Sequence, residues 1–217
     1  MDKVAPHPCL GCGKIGTVLC DNCKYNISHE PFSGCLMCAK VCLEATCPEH
    51  DVPICKAWIV GERRGDLLNA IDAYKFQNIK AAVRSLVDLL DERLPILPND
   101  LIIVPVPTLS SHVRQRGYDH LDLLAKVLAH KRNLKVGRIV ERSSGKTQHT
   151  LNRLQRQSEA QKTFSLAINT VISPSTPLLV LDDIITTGST VKAITKLLSE
   201  AGAQNIFVAS LAYQPID

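Results

Sequence analysis

The chain has 217 residues, 45% of them hydrophobic, and a formal charge of +4, enough apolar content to bury a real core in one large or two small domains. No apolar run reaches the ~18 to 20 residues that span a bilayer, and Met1 to Leu10 lacks the apolar stretch of a signal peptide, so a cytoplasmic protein is expected. All nine cysteines fall within residues 9–55, an odd number in paired spacing that points away from a secreted disulfide framework and toward metal ligation.

Cys9-x2-Cys12 is followed after seven residues by Cys20-x2-Cys23, and Cys35-x2-Cys38 after eight by Cys47-x2-His50. Each C-x-x-C offers two thiolates from one tight turn, and two such turns complete a tetrahedral zinc site. The repeat predicts one four-cysteine site and one site of three cysteines and His50, both structural because protein fills all four positions. Cys42 and Cys55 are left over and either can replace His50; a cross-braced pairing of the turns also fits the spacing. Residues 1–55 carry four Lys or Arg against six Asp or Glu, so charge alone gives this module no attraction to nucleic acid. The chain divides into this zinc-binding module, 1–56, and a second unit, 57–217, made of a helical connector, 57–98, and a core, 99–217.

Helices are predicted over Asp66 to Gln77, where Leu67, Leu68, Ile71 and Tyr74 recur at helical spacing, and over Ile79 to Leu94, which Pro95 and Pro98 end. Leu101 to Val106 is rich in Ile and Val and reads as a buried strand closing at Pro105-Val106-Pro107, since proline cannot continue the ladder. A polar turn carrying Arg114, Arg116, Gly117 and Tyr118 follows, then a helix marked by Leu121, Leu124, Ala125 and Leu128. Val136 to Glu141 is a predicted strand, Arg142 to Thr150 a polar loop and Leu151 to Gln161 a weak helix. From Lys131 to Lys162 nine Lys or Arg face two Glu. Arg142, Lys146, Arg153 and Arg156 in this stretch are candidates for pyrophosphate or the backbone of single-stranded DNA, although aromatic residues for base stacking are scarce.

The most informative stretch is Leu178 to Thr190. Four apolar residues, Leu178 to Leu181, form a strand covered on both faces, and Val191 to Ala201 has helical spacing, so the turn between lies at the carboxyl end of a parallel strand. There the unpaired N–H groups of the next helix attract a phosphate. Gly188 lets the backbone approach closely; Thr186, Thr187, Ser189 and Thr190 add hydroxyls; Asp182 and Asp183 can accept hydrogen bonds from vicinal sugar hydroxyls or sit near a divalent ion. Asn205 to Tyr213 is the last strand. The alternation of strands and helices predicts an α/β fold with a parallel sheet flanked by helices.

Asp182 to Thr190, with Ile184 inside it, resembles the phosphoribosyl pyrophosphate (PRPP) signature of type I phosphoribosyltransferases. The wider pattern resembles the ComF family of competence-associated and GntX-like proteins: the cysteine module, Lys75-Phe76, the strand end Val104 to Pro107, an Arg-Gly-aromatic element at Arg116 to Tyr118, Thr147-Gln148 and the PRPP signature, in order from about residue 9 to the C-terminus. Two departures stand out: Asp119-His120 replaces the family's Asn-Gln, and His50 stands where the family more often has cysteine. The resemblance implies a type I phosphoribosyltransferase-like domain that binds PRPP with Mg2+ through Asp182, Asp183, Ile184, the Thr186 to Thr190 loop and the Pro105-Val106-Pro107 turn. It also implies Arg114 and Arg116 on pyrophosphate, with Asp182, Asp183 and Arg116 as the catalytic set of any turnover. It further implies a role in handling single-stranded DNA during natural transformation, with a DNA-translocating helicase as partner. The alternatives are an active phosphoribosyltransferase and a regulatory protein that senses PRPP.

Overall fold

The structure, a computed structural model, describes residues 7–142 and 163–215. In chain order its elements are α1 (Asp21–Ser28), β1 (Lys56–Glu62), α2 (Gly65–Phe76), α3 (Ala82–Arg93), β2 (Ile102–Pro105), α4 (Ser110–Arg116), α5 (His120–Arg132), β3 (Lys135–Val136), β4 (Val140–Arg142), β5 (Phe164–Leu166), β6 (Leu178–Ile185), α6 (Ser189–Glu200) and β7 (Ile206–Tyr213). Five strands form one parallel sheet in the order β1-β7-β6-β2-β3, and β4 and β5 pair antiparallel as a separate ribbon.

The strand order fixes where a ligand can bind. From β2 the chain steps to β3 on one side, and from β6 it steps to β7 on the other. Right-handed crossovers therefore put the connecting helices on opposite faces. The packing agrees: α3 covers β1 and β7 and touches α5, α5 covers β2, β3 and β6, and α6 lies on β6, β7 and β5. The adjacent carboxyl ends of β2 and β6 thus flank the point where strand order reverses, the crevice in which open α/β sheets bind ligands.

Several expectations need correction. The stretch 57–98 is not a purely helical connector, because it opens in β1, whose Trp58, Ile59 and Val60 belong to an apolar run that pairs with β7 from Lys56↔Phe207 onward. The strand expected over Val136 to Glu141 is two strands in two sheets: β3 ends against Ile103, and β4 starts four residues after Val136 to pair with β5. The polar turn after Pro107 contains the short helix α4, stopped by Gly117 in the left-handed region at φ 75°. β6 runs four residues past Leu181, so Asp182 and Asp183 lie within the strand; the partners Ser210, Ala212 and Tyr213 of β7 extend the ladder that far. The expected loop and helix over 143–161 fall outside the described residues.

One continuous core runs from Cys9, Leu19 and Leu36 of the cysteine module through Leu67, Ile71 and Tyr74 of α2 to Leu181, Val208 and Tyr213 of the sheet. The ring of Phe32 stacks on that of Tyr213 with centroids 4.1 Å apart. The module is thus built onto the same body as the sheet, near the carboxyl ends of β6 and β7.

Candidate functional site

The cysteine repeat folds as two equivalent turns. Cys9 N–H donates to Lys14 C=O at 2.8 Å and Cys35 N–H to Lys40 C=O at 2.9 Å; Leu10 N–H donates to Val18 and Leu36 N–H to Ala45, both at 2.9 Å. These turns gather Cys9, Cys12, Cys20 and Cys23 into one cluster and Cys35, Cys38, Cys47 and His50 into another, each with its ligand atoms within 4.8 Å of one another. The Sγ atoms of Cys9 and Cys23, Cys12 and Cys20, and Cys38 and Cys47 are all 3.7 Å apart. A disulfide needs about 2.05 Å, whereas a tetrahedron with Zn–S of about 2.3 Å has edges of about 3.8 Å. Both clusters therefore fit a metal such as zinc. His50 Nδ1 lies 3.6 Å from Cys35 Sγ and 3.2 Å from Cys47 Sγ, while Cys42 donates to the Glu44 carbonyl and Cys55 to the Gln204 carbonyl. The turns pair in sequence, without cross-bracing.

The second cluster reaches the phosphate-type loop. Gly188, the N-cap of α6, has φ 67°, which L side chains rarely adopt. A Cβ there would overlap the Met37 methyl and stand 2.6 Å from the Leu36 carbonyl oxygen and 2.9 Å from Met37 Sδ. Leu36 and Met37 are the two residues between Cys35 and Cys38, so the metal turn braces the loop from outside. On its inner side Asp182, Ile184, Thr186, Gly188, Ser189 and Thr190 line a cavity of about 30 Å³. Gly188 offers no capping side chain; Ser189 N–H donates to Thr187 Oγ1 at 3.3 Å, and the next N–H groups of the first turn and the positive end of the dipole face an anion. Thr186, Thr187 and Ser189 are exposed.

The acidic pair is buried, at 7% exposure for Asp182 and 6% for Asp183, and the two carboxyls have different surroundings. Asp182 Oδ1 accepts from Asp183 N–H at 2.9 Å; burial and the neighbouring Asp183 charge push Asp182 up to about 8. Asp183 Oδ1 accepts from Ile184 N–H at 2.7 Å, and its Oδ2 accepts from Lys75 Nζ at 2.7 Å and His120 Nε2 at 2.5 Å. Burial alone would raise Asp183, but the His120 hydrogen bond and the Lys75 charge outweigh it and hold the carboxyl well below its usual range. Arg116 Nη1 is 2.9 Å from His120 Nδ1. A guanidinium can only donate, so Nδ1 accepts and the ring proton faces Asp183 from Nε2. These donors engage the Asp183 carboxylate with an ammonium, an imidazole and an amide, so the lysine already supplies its cation and the surroundings do not fit a divalent ion, which requires its own oxygen shell.

Folding stability should follow these two carboxyls with opposite signs. Asp182, raised on folding, stabilises while protonated, and that contribution is lost as pH rises through the folded value of about 8. Asp183, lowered on folding, contributes above the ordinary carboxylate range and loses that contribution only as pH falls below it. Asp182→Asn should remove the alkaline loss, its melting temperature overtaking the wild type by a few degrees as pH rises from about 4 to about 8; calorimetric melting across that window checks this.

Among the other expected site residues, Pro105, Val106 and Pro107 line a cavity of about 630 Å³ with Arg114 and Arg142. Arg116 points elsewhere, to His120 and, at 5.4 Å, to the face of Phe76. Lys146, Arg153 and Arg156 lie outside the described residues. Sequence reading did not connect Lys75 or His120 to Asp183, although each follows a helical apolar face: Lys75 is four residues after buried Ile71, and His120 four before buried Leu124. Arg138, which binds Asp122 from the rim of the larger cavity, was also missed. Asp119 explains half of the Asn-Gln departure: its Oδ1 accepts from Leu121 and Asp122 N–H and from Thr108 Oγ1, capping α5. Asp119→Ala should cost about 1 kcal/mol in urea unfolding and Asp119→Asn much less, because the amide oxygen keeps the cap.

No family model matches the chain. Competence protein F of Haemophilus influenzae is 31% identical over 207 residues, covering 89% of this chain and 90% of that protein. The DNA utilization protein YhgH of Salmonella typhimurium is 30% identical over 148 residues, 67% of this chain and 60% of that protein. Among solved structures, adenine phosphoribosyltransferase of Saccharomyces cerevisiae aligns at a TM-score of 0.40 and 19% identity over 64% of this chain and 72% of its own. The adenine phosphoribosyltransferase of Thermoanaerobacter pseudethanolicus aligns at 0.40 and 16% over 63% and 83%.

Proposed function

We propose, from the premise that this chain belongs to the ComF family of competence proteins, that it serves DNA uptake in natural transformation and carries a binding site for a phosphorylated ribose at Asp182 to Thr190. The observation that carries the sugar site is the N-terminus of α6 at Gly188, at the sheet's reversal point, with two buried carboxyls shortly before it. In this reading the α6 N–H groups and the hydroxyls of Thr186, Thr187, Ser189 and Thr190 hold the 5-phosphate, and Asp182 and Asp183 receive the ribose hydroxyls; PRPP is the ligand the resemblance suggests. The two cysteine clusters hold Zn2+, which in closed four-ligand sites supplies folding energy and no chemistry. The protein acts on the cytoplasmic side, handling single-stranded DNA beside a DNA-translocating helicase; among the described residues no helix is long and apolar enough to cross a membrane.

The test pairs binding with transformation. Thr186 and Thr187 are exposed, so Thr186→Val with Thr187→Val removes two hydroxyls without touching the core. Ribose 5-phosphate affinity and transformation frequency should fall together. Normal transformation by a variant that no longer binds the sugar would separate the site from DNA uptake.

One observation favours a second reading, transfer of ribose 5-phosphate from PRPP to a nitrogen nucleophile. The cavity of about 630 Å³ beside Pro105 to Pro107 has Arg114, Arg138 and Arg142 on its wall, guanidinium forks that match a departing pyrophosphate. Pyrophosphate release from PRPP in the presence of a panel of bases would establish that activity.

A further inference from the structure

We propose that Lys75 occupies at Asp183 the place of a divalent cation, so that the acidic pair receives its sugar hydroxyls without a metal ion. The inference rests on reading Asp182 to Thr190 as a phosphorylated-ribose site, and it narrows that reading to one independent of Mg2+.

A carboxylate has about four lone-pair positions. Asp183 uses three of them, for the amide of Ile184, the ammonium of Lys75 and the imidazole of His120. The Lys75 side chain is 14% exposed and that of Asp183 8%, so little water screens the pair. Its position is built in. Tyr74, one residue earlier, is fully buried and donates from its hydroxyl to the His120 carbonyl at 2.6 Å, and the Tyr118 hydroxyl in turn donates to the Tyr74 carbonyl. The carboxyl end of α2 and the start of α5 are thereby locked together with Lys75 and His120 both aimed at one oxygen. Arg116 closes the far side of His120 and lies over Phe76.

A magnesium ion requires near-octahedral oxygen ligands at about 2.0–2.1 Å. At Asp183 it would have to share Oδ2 with an ammonium whose nitrogen is 2.7 Å from that oxygen, and two cations held on one oxygen in a dry site repel strongly. Asp182 offers no second anionic arm, since burial keeps its carboxyl largely protonated at neutral pH. With one carboxylate neutralised by Lys75 and the other protonated, the pair presents hydrogen-bonding oxygens of low net charge, suited to neutral hydroxyls.

The test uses zinc-loaded full-length protein and Mn2+ as a paramagnetic stand-in for Mg2+, with free Mn2+ read by electron paramagnetic resonance. Wild type should bind no Mn2+ that Asp183→Asn removes. Lys75→Met should gain one such Mn2+ per chain, lost again when Asp183→Asn is added. In parallel, ribose 5-phosphate affinity of the zinc-loaded wild type should agree within about twofold between Mg2+-free buffer without chelator and millimolar Mg2+, a difference of about 0.4 kcal/mol. An Asp183-dependent Mn2+ site in the wild type, or sugar binding that requires Mg2+, would overturn the proposal. Failure of Lys75→Met to gain the ion, in protein whose circular dichroism matches wild type, would remove Lys75 from the role. If Lys75→Met does not fold, the wild-type and Asp183→Asn titrations decide alone. Absence of ribose 5-phosphate binding under both conditions would strike the sugar-site reading, while the Mn2+ titration would still decide the question of Lys75.

Discussion

Stripping metal from the two cysteine clusters is expected to unfold residues 7–55 and to loosen the Thr186 to Thr190 loop with them. A structural zinc contributes about 10–16 kcal/mol of binding free energy to small modules, whereas a whole domain is stable by only about 5–15 kcal/mol. The module cannot replace that contribution. Its own helix is eight residues long, with only Cys23 and Ile27 buried, and the four sulfurs of the first cluster, 3.7 Å apart in pairs, make only weak thiol contacts in place of metal bonds. The loop should respond because its outer support is Leu36 and Met37, held between two ligands of the second cluster. Hydrogen exchange before and after chelation reads both effects. Fast exchange confined to 7–55, with the amides of 186–190 still protected, would show that the loop does not need the metal turn.

The second large effect is expected at Gly188. Gly188→Val forces a branched side chain into φ 67° and into the space of Met37 and the Leu36 carbonyl. The left-handed conformation costs about 1–2 kcal/mol and overpacking about 1–3 kcal/mol, so the sum, roughly 2–5 kcal/mol, must displace either the metal turn or the loop. Ribose 5-phosphate affinity should fall by at least about 30-fold. Gly188→Ala should be milder, and Met37→Ala in that background should restore part of the loss by clearing the methyl and sulfur, while φ and the Leu36 carbonyl remain. Isothermal titration of the three variants distinguishes this packing from a generic loop effect, for which Met37→Ala would restore nothing.

The parts of the site that sequence reading reached are those set by local chemistry. The C-x-x-C repeat carries its own turn geometry, and both clusters assemble from neighbouring turns, with His50 rather than Cys42 or Cys55 beside the three cysteines. The stretch from Leu178 to Thr190 likewise encodes strand, turn and helix start within a dozen residues. What escaped depends on contacts distant in sequence. β1 is a short apolar run whose identity as a strand comes from β7, some 150 residues later. Lys75 and His120 meet Asp183 only because the end of α2 and the start of α5, tied by the Tyr74 hydroxyl to the His120 carbonyl, both reach the acidic end of β6. Arg116, expected on pyrophosphate, is drawn to His120 and Phe76 because α4 ends beside α5. Met37 gave no signal at all, since nothing in a C-x-x-C turn says what its inner residues will touch. Conversely, the divalent ion suggested by two adjacent carboxylates is opposed by a lysine that only the tertiary structure brings there.

The claim that Asp182 to Thr190 holds a phosphorylated ribose is tested most directly by calorimetric titration of the metal-loaded protein with ribose 5-phosphate, against ribose and inorganic phosphate separately. Saturable binding of one ribose 5-phosphate per chain is predicted, weaker for either half alone because the hydroxyls at the acidic pair and the phosphate at the α6 N-terminus are engaged together. It should be lost in Gly188→Val. No binding by the wild type, or equal binding by wild type and Gly188→Val, would contradict the account.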